Sequence, residues 1–92
     1  MKSINNYILE KQLEPVDMQW INDEKPIKTL DGRQVIVYEI DRSQVPNILK
    51  GSVKMNDSLY EFQWIDNGIC IKATDKIGNP KKPDNSDNLV KA

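Results

Sequence analysis

The residues of this 92-residue chain that could do chemistry are few. There is no histidine, and Cys70 is the only cysteine. The commonest general acid–base and the commonest metal ligand are therefore missing, and one thiol cannot assemble a structural zinc site. What remains is a set of carboxylates, two arginines and a handful of aromatic rings. Asp23-Glu24, Glu39 with Asp41, Glu61 and Asp66 have the side chains that an acid–base pair or a Mg²⁺ site needs. No Asp-x-Asp loop groups them, and solvated strand faces and turns account for acids at such places. The expectation is a non-enzyme with no catalytic residue, no metal and no cofactor.

Anion recognition is the next candidate chemistry. Arg33 and Arg42 are the only arginines, so bidentate grip on a phosphate has to use one of them. In Thr29-Leu30-Asp31-Gly32-Arg33 a turn would present Arg33 and backbone amides to an anion; a plain hairpin turn followed by an exposed arginine explains the same residues. Tyr60, Phe62 and Trp64 fall on one face of an alternating run, and such a face can stack bases or grip a peptide. A domain this small can hardly leave three aromatics outside, since each buries about 150–250 Å². Phe62 is therefore assigned to the core, while Trp64, next to a turn, fits either role. The candidate ligand-binding set is Arg33, Arg42, Trp20, Trp64 and Tyr60. A chain of this length has little room for an enclosed cavity, so a small ligand implies a site between subunits and a homo-oligomer.

Net charge is −1, which argues against a nucleic-acid surface. Lys50, Lys54, Lys72, Lys76, Lys81 and Lys82 could form a basic edge near Arg42, but Asp57, Asp66 and Asp75 are interspersed with them, and edge lysines ordinarily serve solubility. Cys70 lies opposite Ile69 and Ile71 in a strand and reads as a small residue on a second, partly buried face. The opening Met1–Gln12 is too polar for a signal peptide, and no run approaches a membrane span. A lone thiol fits a reducing compartment, so the expected setting is cytoplasmic.

The elements that must position these residues follow from patterning. Ser3 to Leu13 reads as a short helix capped by Ser3 and stopped by Pro15. Val16, Met18 and Trp20 alternate with polar residues, as in a half-buried strand. Pro26 precedes a further strand, and Asp31-Gly32 is a favoured type I′ hairpin turn. Val35 to Ile40 is apolar on both faces, which predicts a strand at the centre of a sheet or barrel. Ile48 to Met55 follows, with Gly51 as a bulge or bend. Leu59 to Ile65 alternates cleanly, Asp66-Asn67-Gly68 turns, and Ile69, Ile71 and Ala73 point inward on the return strand. Residues 78–92 carry few apolar side chains and read as a polar tail, partly disordered, with Leu89-Val90 able to dock. The predicted organisation is a helix or arm over 1–14, a β domain over 15–77 and the tail. The predicted fold is mainly β with a short N-terminal helix, in a small antiparallel sheet or an SH3/OB-like partial barrel of five to six strands.

One echo crosses these elements. Gln19-Trp20-Ile21-Asn22-Asp23 resembles Gln63-Trp64-Ile65-Asp66-Asn67. Both copies read as strand, polar turn, strand with tryptophan before the turn. Convergence on hairpin chemistry is favoured over duplication. The two tryptophans then anchor opposite ends of a sheet or flank one cleft.

Pro26-Ile27-Lys28-Thr29-Leu30-Asp31-Gly32-Arg33, Val35–Tyr38, Pro46–Val53 and Trp64-Ile65-Asp66-Asn67-Gly68 together resemble a family of small bacteriophage and Bacteroides-type bacterial β-domain proteins, over roughly residues 26–68. The family pattern ends in Asp-Leu, where this chain has Asp87-Asn88-Leu89. The resemblance implies a small β fold in a phage or prophage setting and no catalytic residues. It suggests a non-enzymatic binding protein that modulates a host process, including defence, by binding a host protein or sequestering a small anionic ligand such as a nucleotide signal. The alternatives are a structural or accessory particle protein and an OB-like single-stranded nucleic-acid binder.

Overall fold

The computed structural model describes residues 14–92. The expected helix over Ser3–Leu13 lies outside the described residues. Within them the chain is mainly β, with one short helix α1 (Met18–Asn22) and strands β1 (Ile27–Thr29), β2 (Val35–Asp41), β3 (Ile48–Met55), β4 (Ser58–Ile65), β5 (Cys70–Thr74), β6 (Pro80–Lys81) and β7 (Leu89–Lys91). All paired strands are antiparallel. A five-stranded sheet runs β2-β3-β4-β5-β6, and β1 pairs with β7 in a second, two-stranded sheet.

A bridge between Lys28 and Gln34 links β1 to β2, and one between Pro15 and Val90 flanks β7. At the other end, the Leu89 amide donates to the Gly68 carbonyl over 2.7 Å, and the Cys70 amide donates to Asn88 Oδ1 over 2.9 Å. These bonds bring β7 against the β4–β5 turn, so the sheet rolls partly closed. The inside of the roll holds the core: Val16, Ile21, Val35, Leu49, Val53, Phe62, Trp64, Cys70, Ala73 and Leu89. The outside carries the pairs Glu39–Lys50 and Glu61–Lys72 together with exposed apolar side chains, Ile36, Leu59 and Ile71 among them.

Three hairpins use one turn. In each, a glycine amide donates back three residues: Gly32 to Thr29, Gly68 to Ile65 and Gly78 to Asp75. Each of these glycines has φ near +90°, a region L-residues avoid. This is the three-residue hairpin in which a left-handed glycine follows a tight turn. Asp31 does not have positive φ, so Asp31-Gly32 is not the type I′ turn its sequence suggests. Consecutive left-handed residues occur instead at Asn56 and Asp57, φ +51° and +63°, between the paired Met55 and Ser58.

Several other expectations are overturned. Met18–Asn22 is helical, not extended. Asp17 caps it by accepting from the Trp20 amide at 2.8 Å. Its end has Glu24 donating to Ile21 O and Lys25 to Trp20 O, the paired bonds of a Schellman cap. The two Gln-Trp-Ile copies are thus helix in one place and strand in the other, so the echo is not a structural repeat. On β5 Ala73 is inward as expected, but the other inward residue is Cys70, while Ile71 and the preceding Ile69 are exposed; a register shift between β4 and β5 breaks the alternation. Gly51 pairs regularly with Phe62, and the bulge falls opposite it on β2, between Val37 and Glu39. A side chain at Gly51 would strike the Ile36 carbonyl and the Trp64 ring, so close approach explains the glycine. The supposed tail is ordered structure: β6, a 3₁₀ turn over Asn85–Asp87 and β7, with Leu89 and Val90 buried.

Candidate functional site

The five residues singled out from the sequence do not converge. Trp64 is fully buried, stacked with Phe62 at 5.8 Å between ring centroids, and its Nε1 donates to the Asp87 carbonyl at 2.7 Å. It is a core residue. Arg33 is held inside the fold. Its Nε donates to Asp31 Oδ1 at 2.8 Å, its Nη2 to Asp87 Oδ1 at 2.6 Å, and its guanidinium lies 5.7 Å from the Phe62 ring centroid. Trp64 is closed to a ligand, and Arg33, though partly exposed, has its guanidinium committed to Asp31 and Asp87. Tyr60 is half-buried, with its hydroxyl donating to the Lys76 carbonyl.

Asp87 organises this interior and was not marked from the sequence. Its side chain has no solvent exposure. Besides Arg33 it meets Lys81 Nζ at 2.9 Å and accepts from the Asp84 amide at 3.0 Å. Burial pushes the carboxyl up, but the Arg33 hydrogen bond, the Asp84 amide and Lys81 outweigh it and hold Asp87 below the usual carboxylate range. Cys70 is buried too, and burial followed by the nearby Asp87 charge pushes its thiol up to about 12. Of the six lysines suggested as a basic edge, Lys50, Lys72 and Lys81 are paired with carboxylates. Among the described residues no cluster of acids and Cys70 could hold a metal ion.

Of the remaining two, Arg42 is exposed and Trp20 is half-buried, packed against the core at its edge. The Trp20 ring has Lys25 Nζ and Lys91 Nζ at 4.9 and 4.8 Å from its centroid, and its Nε1 donates to the Pro26 carbonyl. It lines a small surface cleft with Asp17, Gln19, Asp23, Lys25 and Lys91. Trp64 lines no part of it, so the tryptophans do not flank one cleft. Arg42 Nη2 donates to Asn22 Oδ1 at 2.9 Å.

Arg42 stands in a larger feature, an open groove of about 750 Å³. One wall is β2 from Gln34 to Ile40. The other is the chain from Ile21 to Ile27, where α1 ends and Pro26 leads into β1. β2 was expected at the centre of a sheet because both its faces are apolar. It is instead an edge strand, paired with β3 on one side and, beyond the Lys28–Gln34 bridge, with no strand on the other among the described residues. Ile36 and Tyr38 are 48% and 57% exposed. The pattern that predicted burial on both sides is the signal that finds this site: β2 has the composition of a covered strand, and no strand among the described residues covers its outer edge. Glu24, on the opposite wall, holds a left-handed backbone at φ +55° where glycine is usual.

Compared with protein-family models, curated proteins and solved structures, the chain matches none. The groove must speak for itself. No helix among the described residues is long and apolar enough to cross a membrane.

Proposed function

We propose that this protein is a non-enzymatic binding module that seats a segment of another protein in the groove beside β2. The observation that carries this is the exposed apolar edge strand. An unpaired strand edge presents rows of N–H and C=O groups to any extended chain, and soluble proteins ordinarily blunt such edges. Here Ile36 and Tyr38 stay in contact with solvent beside a groove within the usual size range of binding sites. In the phage or prophage setting that the resemblance implies, the partner is a host protein in the cytoplasm, and occupying it is how the module modulates a host process such as defence.

Sequestration of a small anionic ligand has less behind it. Arg33 and Trp64 are committed to the fold, and Arg42 and Trp20 line different depressions. The outer sheet face, where Lys50 and Lys72 are paired with Glu39 and Glu61, gives no support to nucleic-acid binding.

The test is site-directed photocrosslinking in the cells that carry the protein. p-Benzoylphenylalanine at Tyr38, in the groove, should give discrete adducts, while the same group at the equally exposed Leu59 should not. Absence of adducts at Tyr38, or the same adducts from both sites, overturns the proposal.

A further inference from the structure

We infer that Asn67 is a site of spontaneous covalent modification: when β7 leaves the β4–β5 turn, the Gly68 nitrogen attacks the Asn67 side-chain amide, and the product keeps β7 from closing again. Three hairpins share one turn, and the residues before their glycines are Asp31, Asn67 and Ile77. Ile77 has no electrophilic carbon in its side chain. The Asp31 carboxylate accepts from Thr29 and Arg33 and is held as an anion, a poor target for a nucleophile. Asn67-Gly68 is the only Asn-Gly pair of the sequence. The glycine matters because no side chain beside its nitrogen hinders the approach.

The reaction needs water and no other reagent. The Gly68 nitrogen gives up its proton and bonds to the carbonyl carbon of the Asn67 side chain. The bond from that carbon to the side-chain nitrogen breaks, and ammonia leaves with the proton. Water then opens the five-membered imide at either carbonyl. One opening leaves aspartate. The other leaves isoaspartate, in which the main chain runs through the side chain and is longer by one methylene.

In the closed fold both reacting groups are engaged, although Asn67 is exposed. The Gly68 amide donates to the Ile65 carbonyl at 2.9 Å, which retains its proton, and Asn67 Oδ1 accepts from the Ile69 amide at 3.1 Å, which holds the side-chain carbonyl on that side. β7 keeps this arrangement shut. The Leu89 amide donates to the Gly68 carbonyl at 2.7 Å, Asn88 Oδ1 accepts from the Cys70 amide at 2.9 Å, and a Cβ on Gly68 would lie 2.5 Å from the Leu89 carbonyl oxygen. Gly68 therefore has no room to turn toward Asn67 while β7 is in place. β7 has three residues, paired with the three of β1, and a short two-stranded pairing opens more readily than the core of a larger sheet. Once isoaspartate has formed, the added methylene displaces the Gly68 carbonyl from the Leu89 amide, at a glycine with no slack to absorb the shift.

The experiment incubates the full chain in mildly alkaline buffer and follows Asn67 by peptide mass spectrometry, with fragmentation that separates isoaspartate from aspartate. Conversion in native buffer should be at least about tenfold slower than in urea. Asn88→Ala, which removes the bond to the Cys70 amide, should speed conversion in native buffer by about fivefold. Low urea should raise the rate with a shallower slope than that of global unfolding. Equal rates in native buffer and urea overturn the gate. No acceleration in Asn88→Ala, or a slope equal to that of global unfolding, overturns its assignment to β7. The purified isoaspartyl form should exchange its Leu89 and Lys91 amide hydrogens at least about tenfold faster than the parent. Asn67→Asp, with the charge but not the methylene, should exchange them as the parent does. Amides that stay protected in the isoaspartyl form, or that are lost equally in Asn67→Asp, overturn the claim that the product keeps β7 open.

Discussion

Asp87 is the residue whose removal the fold would feel most. A carboxylate with no exposure, bonded to Arg33 and Lys81, leaves two cations facing an uncharged amide when it becomes asparagine. Breaking a buried pair costs about 3–5 kcal/mol, and the lower end applies because Arg33 and Lys81 keep partial solvent access. Asp87→Asn should thus be about 3 kcal/mol less stable near neutrality, as read by urea unfolding. The pH dependence has a definite sign. The native carboxyl titrates below the unfolded value near 4, so its stabilisation is complete above that value and is lost as pH falls through the native one. The gap between wild type and variant should close on acidification; a gap constant down to about pH 3 would contradict this ion-pair account. Cys70 offers a second check. A thiol pushed up to about 12 stays protonated at mild alkaline pH, and the thiolate is the reactive form. Labelling by an aromatic disulfide at about pH 8 should be at least about 100-fold slower in the native protein than in urea.

At the scale of elements, turn chemistry was the most legible part of the sequence and strand placement the least. Gly32 and Gly68 each marked a hairpin, because only glycine takes the required φ cheaply, while the same turn at Gly78 was hidden in what read as a tail. The clean alternation of Tyr60, Phe62 and Trp64 placed β4 and its inward face. What misled was side-chain periodicity, overruled by capping bonds in one place and by long-range contacts in others. Met18–Asn22 alternates like a strand, yet the Asp17 cap and the Schellman bonds at Glu24 and Lys25 close a helical turn and a half. β2 looked central because nothing in one strand says how many neighbours it will have. The candidate site was lost for the same reason: Arg33 and Trp64 find their partners in residues 86–87, far along the chain. Two substitutions probe these elements. Glu24→Gly relieves a left-handed backbone and should stabilise the fold by about 1 kcal/mol. Gly68→Ala should destabilise it by about 2 kcal/mol or more, because a Cβ there lies 2.5 Å from the Leu89 carbonyl oxygen. Chemical unfolding measures both, and an unchanged midpoint for Gly68→Ala would mean that β7 does not press on this turn.

For the whole molecule, the closure of the roll depends on residues that a composition-based reading sets aside as tail. β7 covers the core with Leu89 and Val90, its Lys91 amide bonds to the Glu14 carbonyl, and Asp87 supplies the partners of Arg33, Lys81 and Trp64. Ending the chain after Asn79 should therefore do more than shorten it. Trp64 fluorescence should shift to the red, and the cooperative unfolding transition should broaden or vanish, where removal of a true tail would change neither.

The pairing of β1 with β7 also sets an order of events during synthesis. Residues 27–29 wait for residues 89–91, while β2 to β5 can form hairpins with near neighbours as each one emerges. A nascent chain released as far as Thr74 has made most of its large sheet but has no Asp87 to receive Arg33, and no β7 to cover Trp64. It passes through a stage with its aromatic core open and its β2 edge bare at the same time. For the cell, the vulnerable form of this protein is the one still tethered to the ribosome, and any factor that binds extended strands has its best opportunity before the final dozen residues of this sequence appear.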